Sequence, residues 1–224
     1  MPTTELLYVQ LFWLNAGART LFVGFVGCLL LLTGCLSGTS PGEPADHATL
    51  RVEYEQLTAS RDSLFRSENS PLIEADRASF QGLRYFPYDS TLAFRLHLRP
   101  VLARDTIRMV TSTGEARPFI PYGTFRFDAH QRGHTLTVFK PVGEDATPGH
   151  LFLPFSDQTS GRTTYGGGRY LDLTEDATGI FTLDFNRAYH PYCVYNPLYS
   201  CPVPPVENRL SVAISAGERL PDDA

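Results

Sequence analysis

A chain of 224 residues with a formal net charge of −5 has the length for one domain with a sizeable core, once terminal targeting residues are set aside. The acidic balance and the lack of any basic run argue against nucleic acid and against an electrostatic membrane patch as partners. Eighteen glycines, 17 prolines and 12% aromatic residues favour short strands and tight turns over helices.

Thr20 to Leu32 form an apolar run behind Arg19, followed by Thr33-Gly-Cys35. A positive flank, a short hydrophobic core and small residues at a cut make an export signal. The Leu32-Thr-Gly-Cys35 ending resembles a bacterial lipobox. Residues 1–35 are then a lipoprotein signal peptide, with Cys35 as the lipid-modified first residue of the mature chain. An uncleaved anchor helix is the alternative, since Thr20 to Leu36, about 17 residues, sits at the bottom of the range for a bilayer span. Residues 36–45, with Ser37-Gly-Thr-Ser-Pro-Gly-Glu-Pro44, read as a flexible tether. The expectation is an exported protein held on the periplasmic side of the cell envelope by its lipid anchor. Residues 46–224 follow as a single β-rich domain.

Leu50, Tyr54, Leu57, Arg61, Leu64 and Phe65 recur at helical spacing, with Arg51, Glu53, Glu55 and Asp62 on other faces. This predicts an amphipathic helix capped by Asp46 and stopped before Asn69-Ser-Pro71. Its place is over an open face or end of a sheet.

The period then switches to two. Leu92, Phe94, Leu96 and Leu98 alternate with Ala93, Arg95, His97 and Arg99, a half-buried strand. A strand through Ile107 and Met109 runs into a turn at Thr111-Ser-Thr-Gly114. Phe125 and Phe127 lie on one strand and Leu136 and Val138 on the next, joined across the polar turn from Ala129 to Gly133 into a hairpin. Leu151 to Phe155 is a continuous apolar run, fit for a strand buried on both faces. Further strands are expected at Arg169 to Leu173, Ile180 to Asn186 and Arg209 to Ser215. About eight short strands behind one helix predict a mainly β fold, an antiparallel sandwich or barrel-like domain.

The candidate chemistry lies in the last third. Asp184 and Asn186 share one face of their strand, just before a rigid loop with Tyr189, His190 and Tyr192. Glu207 and Asn208 open the next expected strand. Asp184, Asn186 and Glu207 are candidate catalytic residues, an acid–base pair with an amide if they converge. The alternative is that Asp184 and Asn186 bond loop backbone and shape the turn. Gly166-Gly-Gly168 leads into a strand and not a helix, so it reads as a turn or bulge and not a phosphate loop. Tyr165, Arg169, Asp172, Tyr189, His190, Tyr192 and Asn208 are candidate ligand-binding residues. Of four cysteines, Cys28 lies in the signal core and Cys35 is the lipidation site, leaving Cys193 and Cys201. In an exported chain such a pair is more often a disulfide than a redox or metal motif. The spacing of His190, Cys193 and Cys201 matches no zinc finger or ribbon, so no metal or cofactor is expected.

The ordered series Phe80-Gln-Gly-Leu-Arg-Tyr-Phe-Pro87, Leu151-Phe-Leu-Pro-Phe155, Thr163-Thr-Tyr-Gly-Gly-Gly-Arg-Tyr-Leu-Asp172, Asp184-Phe-Asn186, Pro191-Tyr-Cys193 and Cys201-Pro-Val-Pro-Pro-Val-Glu-Asn208 resembles a bacterial and archaeal family known as domain of unknown function 1684. The resemblance spans about Leu50 to Leu220 and implies one intact domain. It brings no activity with it. The functional expectation is a lipid-anchored envelope protein that binds a small ligand, a glycan or a partner protein. The alternative is an envelope hydrolase using Asp184 and Glu207, with or without a metal.

Overall fold

The computed structural model describes residues 46–221, so the expected signal, the expected lipidation site at Cys35 and the expected tether lie outside the described residues. Helix α1 (His47–Phe65) opens the fold, and Asp46 caps it by accepting from the backbone N–H groups of Ala48 and Thr49. The expected helix and cap are both present. Leu50 and Phe65 are buried, Tyr54 packs on Tyr85 and Tyr88, and Phe65 packs on Tyr192 and Tyr195. Among the described residues no helix is long and apolar enough to cross a membrane.

After the single turn α2 (Glu74–Arg77) come β1 (Arg84–Tyr85), β2 (Ala93–His97), β3 (Arg99–Pro100) and β4 (Ile107–Val110). The chain then builds β5 (Ala116–Ala129), β6 (Arg132–Pro141), β7 (His150–Phe155), β8 (Arg169–Thr174), β9 (Ile180–Asp184) and β10 (Glu218–Arg219). Strands β5 to β8 form an antiparallel meander, with β3 and β4 both pairing to β5. Strand β2 pairs antiparallel with β9, and β1 with β10. The fold is mainly β and antiparallel as expected, and the sheets do not close into a barrel.

Alternation along the strands assigns the two faces of the main sheet. Phe125, Phe127, Leu136, Val138, Leu151, Leu153, Phe155 and Leu171 meet Phe181 and Leu183 of β9, with Phe94 and Leu96 of β2 packed against them. This is the larger core. On the opposite face Met109, Phe119, Phe139, Phe152 and Tyr170 gather under Cys201 in a smaller apolar cluster. Strand β7 thus buries both faces, which explains its unbroken apolar run.

Two local devices shape β5. His130 and Gln131 both take positive φ, 50° and 62°, in the two-residue turn to β6, the conformation that matches the twist of a hairpin. A register shift between Pro121 and Gly123 marks a bulge. A Cβ at Gly123 would stand 2.7 Å from Leu98 and 2.9 Å from the Arg99 carbonyl, so only glycine lets the chain before β3 lie this close.

One expected strand is not formed. Residues 209–215 bend at Ser211 and Val212 and make only isolated backbone bonds to residues 156–158, while side chains take others of their backbone groups. The Arg169 guanidinium donates to the Ile214 and Ala216 carbonyls, and Asp157 accepts from the Ile214 N–H. Strand β9 also ends early, at Asp184, where the chain tightens into a 3-10 turn over Phe185–Arg187.

Candidate functional site

The outer face of β7 and β8 carries the group that stands out chemically. Phe152 is paired with Asp172 across the ladder, so His150 and Asp172 are diagonal neighbours on that face. His150 Nε2 lies 2.8 Å from Asp172 Oδ1, and the Tyr189 hydroxyl donates to Oδ2 at 2.6 Å. The Asp172 side chain is 48% exposed. It is therefore a carboxylate fixed on both oxygens yet open to solvent.

Around it runs a groove. A cavity of about 330 Å³ is lined by Arg61, Arg117, Tyr170, Tyr192, Tyr199 and Cys201, among others, with Asp172 and Tyr189 in its wall. A shallower one of about 200 Å³ continues past His150, Phe119 and Phe152 and shares Asp172, Tyr189 and Tyr170. Arg61, from α1, stacks over the Tyr189 ring at 4.5 Å. Burial, with the Asp172 carboxylate beside it, pushes the Tyr189 phenol well above its ordinary value, so it stays a donor. The larger hollow of about 510 Å³ between α2 and the C-terminal segment is lined by Asp76, Phe80, Leu83, Arg84, Tyr195 and Arg219, among others.

Beneath the groove lies a buried polar network. Glu218 accepts from Arg61 at 3.1 Å, from the His190 backbone N–H at 3.2 Å and from the Tyr195 hydroxyl. Burial raises its carboxyl to about 7, against the opposing pull of Arg61. His190 is fully buried, and its Nε2 accepts from the Tyr165 N–H at 3.2 Å. The neutral ring therefore carries its proton on Nδ1. Burial first, then the Arg169 and Arg61 charges, lowers its pKa to about 3. Arg169 is paired with Asp157 at 2.9 Å, both side chains without solvent exposure.

Of the expected ligand-binding residues, Asp172, Tyr189 and Tyr192 line the groove. Tyr165 is not in the lining of the groove; its hydroxyl lies 4.0 Å from the Cys193 sulfur. Arg169, His190 and Asn208 do not reach it. Asn208 is buried, accepting from the Thr137 N–H and donating to the Thr137 and Pro154 carbonyls, which ties its loop to β6 and β7.

Of the three catalytic candidates, Asp184 and Asn186 are hydrogen-bonded to each other, and Glu207 bonds to neither. Asp184 Oδ1 accepts from the backbone and side chain of Asn186, and Asn186 clasps the backbone of Asp89 through both its N–H and its carbonyl. That is the turn-shaping role. Asp184 Oδ2 is buried without a hydrogen-bond partner, and burial raises the carboxyl. Glu207 is exposed, in the 3-10 turn Val206–Asn208.

The expected disulfide is not formed: Cys193 and Cys201 are free thiols. The Cys193 backbone N–H instead donates to the Cys201 sulfur at 3.3 Å. Among the described residues no group of three or more His, Cys, Asp or Glu side chains is placed to hold a metal ion. Gly168 has φ +87° and donates to the Tyr165 carbonyl, so the glycine run is a turn, as expected.

Sequence reasoning missed His150, Arg61 and Glu218. Arg61 had a signal, a charged residue within the apolar stripe of a helix. His150 and Glu218 had none, because the β7–β8 register and the β1–β10 pairing bring them in.

Comparison with known proteins fits this architecture. Residues 78–219 match the model of the family described as "Protein of unknown function (DUF1684)". The chain belongs to this family. It is also similar to an uncharacterized protein of Haloarcula marismortui whose structure was determined by solution NMR, at 34% identity and a TM-score of 0.61. That match covers 79% of this chain and 98% of the other. No curated protein matches the chain. The DUF1684 match takes in every groove residue named above except Arg61, which α1 supplies from outside it.

Proposed function

We propose that this DUF1684 protein is a lipid-anchored cell-envelope protein that binds a small polar ligand with a sugar-like ring in the groove around Asp172. The observation that carries the reading is the Asp172 carboxylate, held by His150 and Tyr189 and still half open. Each carboxylate oxygen keeps lone-pair capacity for a ligand hydroxyl. Tyr170, Tyr189, Tyr192 and Tyr199 supply aromatic surface for the apolar face of a ring. The lipobox-like ending at Cys35 and the flexible run after it support this reading, since a lipid anchor there would hold the domain at a membrane surface within reach of envelope glycans. The hydrolase alternative gains no support, since Asp184 serves a turn and Glu207 stands exposed and separate.

Calorimetric titration of the full chain with envelope glycan fragments tests this. A ligand is expected to bind, and Asp172→Ala to weaken it at least about tenfold, about 1.4 kcal/mol. Melting of the variant should stay close to wild type, because Asp172 is a surface residue. Equal affinity in Asp172→Ala, or no binding by any fragment, would remove the groove from consideration.

A further inference from the structure

Cys193 and Cys201 differ in ways that assign them different tasks. Cys201 is 8% exposed and anchored: its N–H donates to the Ser112 hydroxyl at 3.1 Å and its carbonyl accepts from the Ser112 N–H at 2.8 Å. The neighbouring Ser200 hydroxyl lies 2.7 Å from that of Thr111, and the Val203 N–H donates to the Val110 carbonyl. Cys201 is therefore pinned to β4 and the turn that follows it. Cys193 sits half-buried in the 3-10 turn Tyr192–Val194, beside the Tyr165 hydroxyl. The segment between them supplies Tyr199 and Ser200 to the groove, and Cys201 itself lines it.

We propose that Cys193 and Cys201 form a thiol–disulfide exchange site beside the groove, with a low-molecular-weight disulfide as its substrate, Cys193 as the attacking thiol and Cys201 as the resolving one. The proposal rests on the two thiols and not on the ligand reading. The Cys193 thiolate attacks one sulfur of the small disulfide, forming a mixed disulfide and expelling the other half as a thiolate. Cys201 then gives up its proton and attacks the Cys193 sulfur, forming the internal bridge and expelling the second half. The two cysteines lose two electrons and two protons, and the small disulfide gains both as two thiols.

The asymmetry has a physical basis. Hydrogen bonding from the Cys201 thiol, with the Ser112 and Tyr165 hydroxyls, outweighs burial and lowers Cys193 to about 6, while the same contact and burial push Cys201 up. The backbone N–H of Cys193 works the other way by stabilising charge on Cys201, but Cys193 has more donors and more access. The thiolate is the reactive species, so the more exposed and more ionised sulfur leads.

Peptide mapping reads both steps. The reduced full chain is incubated with oxidised glutathione, quenched with an alkylating agent and digested with trypsin. Arg187 and Arg209 bracket one peptide that holds both thiols, apart from Cys28 and Cys35. In the wild type this peptide should lose the mass of two hydrogens and resist alkylation. Cys201→Ser should accumulate a glutathione adduct on Cys193 at least about tenfold faster than Cys193→Ser does on Cys201. Cys201→Ala repeats the trap should the serine variant fail to fold, and the wild-type bridge is read without any variant. A wild-type peptide that stays fully alkylated overturns the site. Equal trapping at the two positions overturns the assignment of roles.

Discussion

His190 and Glu218 face each other in the interior without forming an ion pair. The imidazole Nδ1 lies 3.6 Å from Oε1, beyond hydrogen-bond reach, and both side chains have no solvent exposure. Glu218 is answered instead by Arg61, the Tyr195 hydroxyl and the His190 backbone. One carboxylate therefore ties α1, the Pro191–Cys201 loop and β10 together under the groove. Tyr189, which fixes Asp172, lies against the same arginine.

The two groups should give opposing pH dependences. Glu218 is raised from 4.5 to about 7, so the folded state holds its proton more tightly, and the stability this brings is lost as pH rises from about 4.5 to 7. His190 is lowered from 6.5 to about 3, so its contribution is present above 6.5 and lost as pH falls toward 3. Between about 4.5 and 6.5 the two slopes, each about 1.4 kcal/mol per pH unit, cancel. Relative to wild type, Glu218→Gln should gain stability toward neutral pH across that window, and His190→Asn should lose it. Urea unfolding at several pH values measures the difference. Parallel curves for wild type and both variants would show that neither group is perturbed.

The buried Arg169–Asp157 pair supports a second expectation. Arg169 also serves the backbone of residues 214–218, so removing it takes the donor from Asp157 Oδ2 and from three carbonyls. Arg169→Ala and Asp157→Ala should each cost about 3–5 kcal/mol, the range for stripping one partner from a buried pair. The double variant should cost less than the two combined, since no lone charge remains. Chemical denaturation of the three variants decides it. Strictly additive losses would mean that Arg169 acts through the carbonyls alone.

How much of this was legible depends on the range of the signal. The α1 cap at Asp46, the β5–β6 hairpin and the doubly buried β7 follow from local pattern, and all three are found. Residues 209–215 alternate like a strand, but the Ile214 carbonyl is claimed by Arg169, some 45 positions away in sequence, and the Ile214 N–H by Asp157, and no local pattern carries that. The groove was half legible. Asp172, Tyr189 and Tyr192 belong to a dense aromatic and polar stretch. Their partner His150 follows only from the ladder that sets Phe152 opposite Asp172.

The glycine turn before β8 separates two neighbouring substitutions. Gly168 has φ +87°, and a Cβ there would stand 2.5 Å from the Phe155 carbonyl oxygen and 2.6 Å from Pro204. Gly166 takes ordinary φ, and its nearest neighbour would be the Gly161 Cα at 3.6 Å. Gly168→Ala therefore carries backbone strain of about 1–3 kcal/mol in addition to two close contacts with atoms that cannot move freely. It should also shift Arg169, the next residue, off Asp157. Gly166→Ala should leave the melting temperature within a few degrees of wild type, a change of about 0.5 kcal/mol or less. Thermal unfolding of the two variants side by side is the check. Equal melting temperatures would mean that the turn relaxes to admit a side chain, and that the left-handed residue is not what holds Arg169 in place.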